Sequence, residues 1–146
     1  MHVTTSTSSK LDHALAMGAS DGVVRRTGWE IALHELGPFD VVPDSAGVNW
    51  PQLIEALVPG GTLVSIGRTV TEEARIPIHQ LFIGQRRVVG STMGSPREFA
   101  ALLDHIEQAS WAPLIDSTFA LSAPVAAFAR LDSKERVGKV VLEAPR

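Results

Sequence analysis

The chain has 146 residues, 45% of them hydrophobic and 20% charged, with a formal net charge of −3 and no cysteine. That length and balance suit one soluble globular domain with a real core, and the charge gives no electrostatic case for nucleic acid or an anionic membrane. Missing thiols exclude disulfides, thiolate metal sites and cysteine nucleophiles. No apolar run approaches the ~20 residues of a membrane span, and Met1-His2 leads into Val3 without a signal-peptide pattern, so a cytoplasmic location is expected.

In chain order, Val3-Thr4-Thr5 predicts a strand. Ser9 is placed to cap a helix with Leu11, Ala14 and Leu15 inward, ended by Gly18. A strand follows at Gly22 to Arg25. Thr27 and Glu30 have the spacing of a capping box, opening a helix that turns Trp29, Ala32, Leu33 and Leu36 inward until Gly37-Pro38. Asp40-Val41-Val42 is a short β-branched run, closed by the turn residues Ser45-Ala46-Gly47. Asn49 and Gln52 offer a second capping box, with Leu53, Ala56 and Leu57 at helical spacing. Pro59-Gly60-Gly61 predicts a tight stop before the strand Leu63 to Ile66, which runs into Gly67-Arg68. Residues 69–75 form a polar loop, and 77–85 are a mixed apolar segment without clear periodicity. Val88 to Thr92 forms another strand. Ser95-Pro96-Arg97-Glu98 is the clearest helix start, with Phe99, Leu102, Leu103 and Ile106 as its expected buried face. Beyond Trp111 the pattern gives a strand (Leu114 to Phe119), a helix capped by Ser122, and a final strand (Val137 to Leu142).

Strand alternating with helix five times argues for an open α/β sheet, and the closely spaced strand–helix–strand over residues 39–67 argues that the sheet is parallel. Ligands of such sheets sit beyond the carboxyl ends of the strands. That places Ser45-Ala46-Gly47 and Gly67-Arg68 on the functional edge and makes a nucleotide the first ligand to consider. Other chemistry finds little support. His2, His13, His34, His79 and His105 lack metal-ligand spacing. Asp40, Asp44 and Asp116 lack the partners of a general acid/base pair. Trp29, Trp50 and Trp111 read as packing residues, and no catalytic residue is identified.

The ordered set Thr-Ser-Ser-Lys-Leu-Asp, Phe-Asp-Val-Val-Pro-Asp-Ser-Ala-Gly, Leu-Val-Pro-Gly-Gly-Thr-Leu-Val, Gly-Ser-Thr-Met-Gly-Ser-Pro-Arg-Glu-Phe and Gly-Lys-Val-Val-Leu resembles the medium-chain dehydrogenase/reductase superfamily. Its nearest branch is the zinc-containing alcohol dehydrogenase-like and quinone oxidoreductase-like proteins. The resemblance is to the family's second half only. It implies a Rossmann-like open parallel sheet lacking the first βα unit, over residues 1–111. A short C-terminal α/β segment, 112–146, would return to the catalytic domain. None of the 12 glycines makes the Gly-x-Gly-x-x-Gly turn, and zinc ligands are expected outside this part of the chain.

By the resemblance, the cofactor is a nicotinamide dinucleotide used for hydride transfer between NADPH and a small carbonyl, alcohol or quinone. At the end of the second Rossmann strand, an acid reads an NAD ribose, whereas hydroxyls and cations accept a 2′-phosphate. Here Thr5-Ser6-Thr7 and Lys10 stand without an acid before Asp12, so Ser6, Thr7 and Lys10, joined by Arg25, imply NADP rather than NAD. Ser45, Ala46, Gly47, Ile66, Gly67 and Arg68 would line the ribose and nicotinamide side. Gly90, Ser91 and Lys139 match further family segments near the cofactor. The resemblance also implies a homodimer through the strand around Val88 to Thr92. Two other readings stand beside it: a methyltransferase-like Rossmann protein, weakened by the missing acid after the first strand, and a non-catalytic remnant acting through dimerisation.

Sheet order supplies the boldest expectation. In the order 3-2-1-4-5-6 the absent strand is central, so two inner edges would be left unpaired. Buried unpaired backbone groups cost on the order of 1–3 kcal/mol each, against a total stability of roughly 5–15 kcal/mol. The strands are therefore expected to close up directly, or to be bridged by Val137 to Leu142 or by a strand from a second chain; otherwise the 146 residues are a piece of a longer polypeptide.

Overall fold

Short β-branched runs alternate with amphipathic helices along the chain, and the structure, a computed structural model, describes residues 1–109 and 112–145. The chain divides into two units, Met1–Met93 and Gly94–Arg146. The domain boundary expected at 111/112 lies at the edge of the described residues, and the packing role expected of Trp111 falls outside them.

The first unit runs β1 (His2–Thr5), α1 (Ser8–Ala16), β2 (Asp21–Val24), α2 (Trp29–Leu36), β3 (Phe39–Asp44), α3 (Trp50–Glu55), β4 (Leu57–Ser65), α4 (Ile78–Ile83) and β5 (Arg87–Gly90). Every pairing is parallel. β1 pairs with β2, while β3, β4 and β5 form a separate three-stranded sheet with β4 in the middle. This is the expected Rossmann-like α/β arrangement. Its core is Val23, Trp29, Leu33, Leu53, Ile54, Ala56, Leu57 and Leu63, with Ile54 and Leu63 fully enclosed. These residues come from β2, α2, α3 and β4 and the turn into β4, so α2 and α3 bury their stripes as the spacing predicted, whereas α1 buries no residue and its Leu15, expected inward, is exposed.

Thr7, not Ser9, caps α1, its Oγ1 accepting from Lys10 N–H at 3.3 Å. Neither Thr27 nor Asn49 acts as a side-chain cap; Gly28 and Asn49 fill those positions with left-handed backbone instead. Pro59-Gly60-Gly61 does not precede β4 but lies within it. Phe39 opposes Leu57 whereas Val41 opposes Thr62, so β4 carries the extra residues as an irregularity, with Gly60 at φ 79°. The segment without periodicity contains α4. Arg86 anchors it: the guanidinium donates to Leu57 C=O at 2.7 and 3.1 Å and to Glu55 C=O at 3.3 Å, satisfying carbonyls freed where α3 ends.

The closure expected of the inner edges does not occur. β1 and β3 are not paired, and an open groove of about 740 Å³ runs between them. Val137 to Leu142 does not bridge it, because β7 pairs with β6 in the other unit. The expectation assumed that the unpaired groups would be dry. Thr4 and Val41 are exposed, Val41 to 56%, so water reaches these edges and the burial penalty is not incurred.

The second unit contains α5 (Pro96–Ala109), β6 (Ile115–Ala120), α6 (Pro124–Leu131) and β7 (Lys139–Glu143), with β6 and β7 parallel. The capping box of α5 is as read. Glu98 N–H donates to Ser95 Oγ at 3.3 Å, and Ser95 N–H donates to Glu98 Oε2 at 2.7 Å. Its apolar face is not buried as expected, for Phe99, Leu102 and Leu103 are exposed. Ser122 does not cap α6; Ala123 holds the cap position and makes no side-chain bond. Asp116 ties this unit together. Its carboxylate accepts from Arg130 at 2.6 and 2.7 Å, from Val137 N–H at 2.9 Å and from Ser117 Oγ at 3.0 Å. The Arg130 guanidinium, helped by the Val137 N–H, holds the Asp116 carboxyl well below the usual carboxylate range.

Candidate functional site

Because β1 and β2 are parallel, and β3, β4 and β5 are parallel in their own sheet, the loops after the strands of each sheet leave from one edge of it, where such sheets bind ligands. The best-built part of that edge is the loop after β3. Asp44 ends the strand, and its carboxylate folds the next three residues over itself. It accepts from Ala46 N–H at 3.2 Å, Gly47 N–H at 2.7 Å and the Trp50 indole N–H at 2.9 Å. An aspartate followed by a glycine three residues on is an Asx-turn signature, which could have revealed this role from the sequence. Asp44 is therefore a positioning residue rather than half of an acid/base pair.

The loop after β4 is laced to this one. Thr69 N–H and Oγ1 donate to Ser45 C=O at 3.0 and 3.1 Å, and Val70 N–H donates to Ala46 C=O at 3.1 Å. Ile66 N–H bonds to Asp44 C=O at 2.8 Å. The two glycines permit the approach. A Cβ on Gly67 would stand 3.0 Å from Ser45 O. Gly47, at φ 80°, adopts backbone that L residues rarely take, and its Cβ would meet Thr71 O at 3.0 Å. Ser45, Ala46, Gly47, Ile66 and Gly67 thus form one bonded double loop with Arg68 beside it. Ala46 and Gly47 are buried and Ser45, Ile66 and Arg68 exposed. Arg68 is drawn to Glu72 in a surface ion pair. Thr69 and Val70 belong to the same construction and carry no signal in the sequence, and Trp50, expected only to pack, also donates its indole N–H to it.

On the β1–β2 side, Thr5 Oγ1 donates to Thr7 C=O at 3.0 Å, bending the chain through Ser6 into α1. Arg25 N–H donates to Thr5 C=O at 2.8 Å. The structure thereby brings Ser6, Thr7 and Arg25 to one end of this strand pair, with Lys10 in the first turn of α1. Gly90 pairs with Ser65, and Ser91 N–H donates to Ser65 C=O at 2.8 Å, so both sit at the end of β5. A Cβ on Gly90 would meet nothing within 4 Å, so no close approach requires that glycine. Lys139 opens β7 in the second unit, its N–H bonded to Leu114 C=O at 2.9 Å.

No group of three or more His, Cys, Asp or Glu side chains could hold a metal ion among the described residues. The histidines have local partners instead: His13 Nδ1 lies 2.8 Å from Ser9 O, His2 packs on Phe39, and His79 on Phe82. The residues present do not fit zinc, which takes three or four convergent ligands. A dinucleotide fits better. A hydrogen-bonded double loop with two close-approach glycines, and a strand end carrying hydroxyls and cations, suit a polyanionic ligand laid along the edge.

Residues 1–108 match the sequence profile of the family described as zinc-binding dehydrogenase. The chain belongs to that family. It is 29% identical over 140 residues to the aldehyde reductase AdhA of Synechocystis sp., covering 94% of this chain and 41% of that protein. Among solved structures, it resembles a cobalt- and zinc-bound thermostable alcohol dehydrogenase from Pyrobaculum aerophilum. The TM-score is 0.82 at 25% identity, over 97% of this chain and 42% of that one. A structure of an NAD-dependent alcohol dehydrogenase gives a TM-score of 0.84 at 24% identity, over 97% and 43%, a likeness of fold. The chain therefore spans about two fifths of the length of the relatives it matches. These relatives are an aldehyde reductase and two alcohol dehydrogenases, and the chain corresponds to the second half of the medium-chain dehydrogenase/reductase superfamily. No helix among the described residues is long and apolar enough to cross a membrane.

Proposed function

We propose that residues 1–93 are the nucleotide-binding portion of an NADP-linked oxidoreductase that moves a hydride between NADPH and a small carbonyl, alcohol or quinone. One observation carries the choice of NADP. The strand end that reads the adenosine ribose in this fold offers Ser6, Thr7 and Arg25 together, with Lys10 one turn on, and no carboxylate before Asp12. A carboxylate there accepts from two ribose hydroxyls and repels a phosphate, whereas hydroxyls and cations do the reverse. The dinucleotide, when bound, supplies the hydride-carrying ring. Of this chain's residues, the Ser45–Gly47 and Ile66–Arg68 loops would line its ribose and nicotinamide side, and Gly90 and Ser91 would add contacts. No residue of this chain is assigned to proton transfer, so activity is expected only with the remainder of a dehydrogenase fixing the substrate against the cofactor. Family membership counts against the methyltransferase reading.

The test is a titration of the chain with NADPH and NADH, followed by fluorescence or calorimetry. NADPH is expected to bind at least tenfold tighter, and Lys10→Ala or Arg25→Ala to remove most of that difference. Matching curves for the two nucleotides in the unsubstituted chain would overturn the reading. We also propose a cytoplasmic homodimer formed along β5. Its outer edge is unpaired among the described residues; Ser91 N–H bonds to Ser65 C=O on β4, so the alternate residues Val88 and Gly90 turn their backbone groups outward, as on unprotected edges that seek a partner. The same dimer alone, without catalysis, is the second reading. Sedimentation equilibrium giving a monomer at micromolar concentration would refute it, as would a dimer that Val88→Pro leaves intact.

A further inference from the structure

We draw no further inference here: the strongest candidate, the exposed apolar patch that Ile78, Phe82 and Ile83 form on α4, carries nothing because nothing in the structure shows what covers it.

Discussion

Removing the Asp44 carboxylate tests whether the double loop is built as described. Asp44→Ala leaves three donors without their acceptor: the N–H groups of Ala46 and Gly47 and the indole N–H of Trp50. Ala46 is 9% exposed and Gly47 is buried, so water replaces these bonds only in part. A hydrogen bond to a charged acceptor contributes about 1.5–3 kcal/mol when buried and nearer 1 kcal/mol when solvated. Three bonds at a half-buried site therefore predict a loss of about 3 kcal/mol, a large share of the roughly 5–15 kcal/mol that a domain has. Urea denaturation followed by tryptophan fluorescence measures it, with the slope of the transition unchanged. Trp50→Phe should cost about 1 kcal/mol alone and almost nothing in the Asp44→Ala background, since the two act on one bond. Nucleotide affinity should fall with the loop, and Asp44→Asn should retain part of both. A loss under about 0.5 kcal/mol for Asp44→Ala, or full additivity with Trp50→Phe, would refute the Asx-turn account.

Two further outcomes are expected. Leu63→Ala, at a fully enclosed position in the middle strand of its sheet, should cost about 2–5 kcal/mol in thermal or chemical unfolding; a cost below about 1 kcal/mol would mean that the core lies elsewhere. The Asp116 carboxyl is held below its ordinary range chiefly by Arg130, so its contribution is complete above the unfolded pKa of about 4 and is lost as the pH falls toward the lower folded value. Stability of the chain should thus decline between pH 5 and pH 3, and Asp116→Asn should flatten that decline; equal pH slopes for the two proteins would count against the ion pair.

What the sequence determined by itself was the succession of elements. Val3-Thr4-Thr5, Val23-Val24, Val41-Val42 and Leu63-Val64 are local β-branched or apolar runs, and the stripe Trp29, Leu33, Leu36 is a period-3.6 pattern; such signals act over one or two turns and need no distant partner. The box at Ser95 and Glu98 was legible for the same reason, because donor and acceptor are three residues apart. The family's motifs fixed the strand order and hence the edge on which Ser6, Ser45 and Gly67 lie. Tertiary structure alone decided the rest. Asn49 has the type of a cap, yet left-handed backbone at that position turns its side chain away from the role. Pro59 to Gly61 has the type of a turn, yet pairing with β3 absorbs it into β4 as an irregularity. Asp44 became the support of the site because Trp50, six residues on, returns to within 2.9 Å, and Ser45 became part of it because Thr69 comes back from 24 residues away. The groove between β1 and β3 lay furthest beyond the sequence. Whether two strand edges close or stand apart depends on whether water reaches them and on helices packed from both sides, which no pattern within either strand encodes.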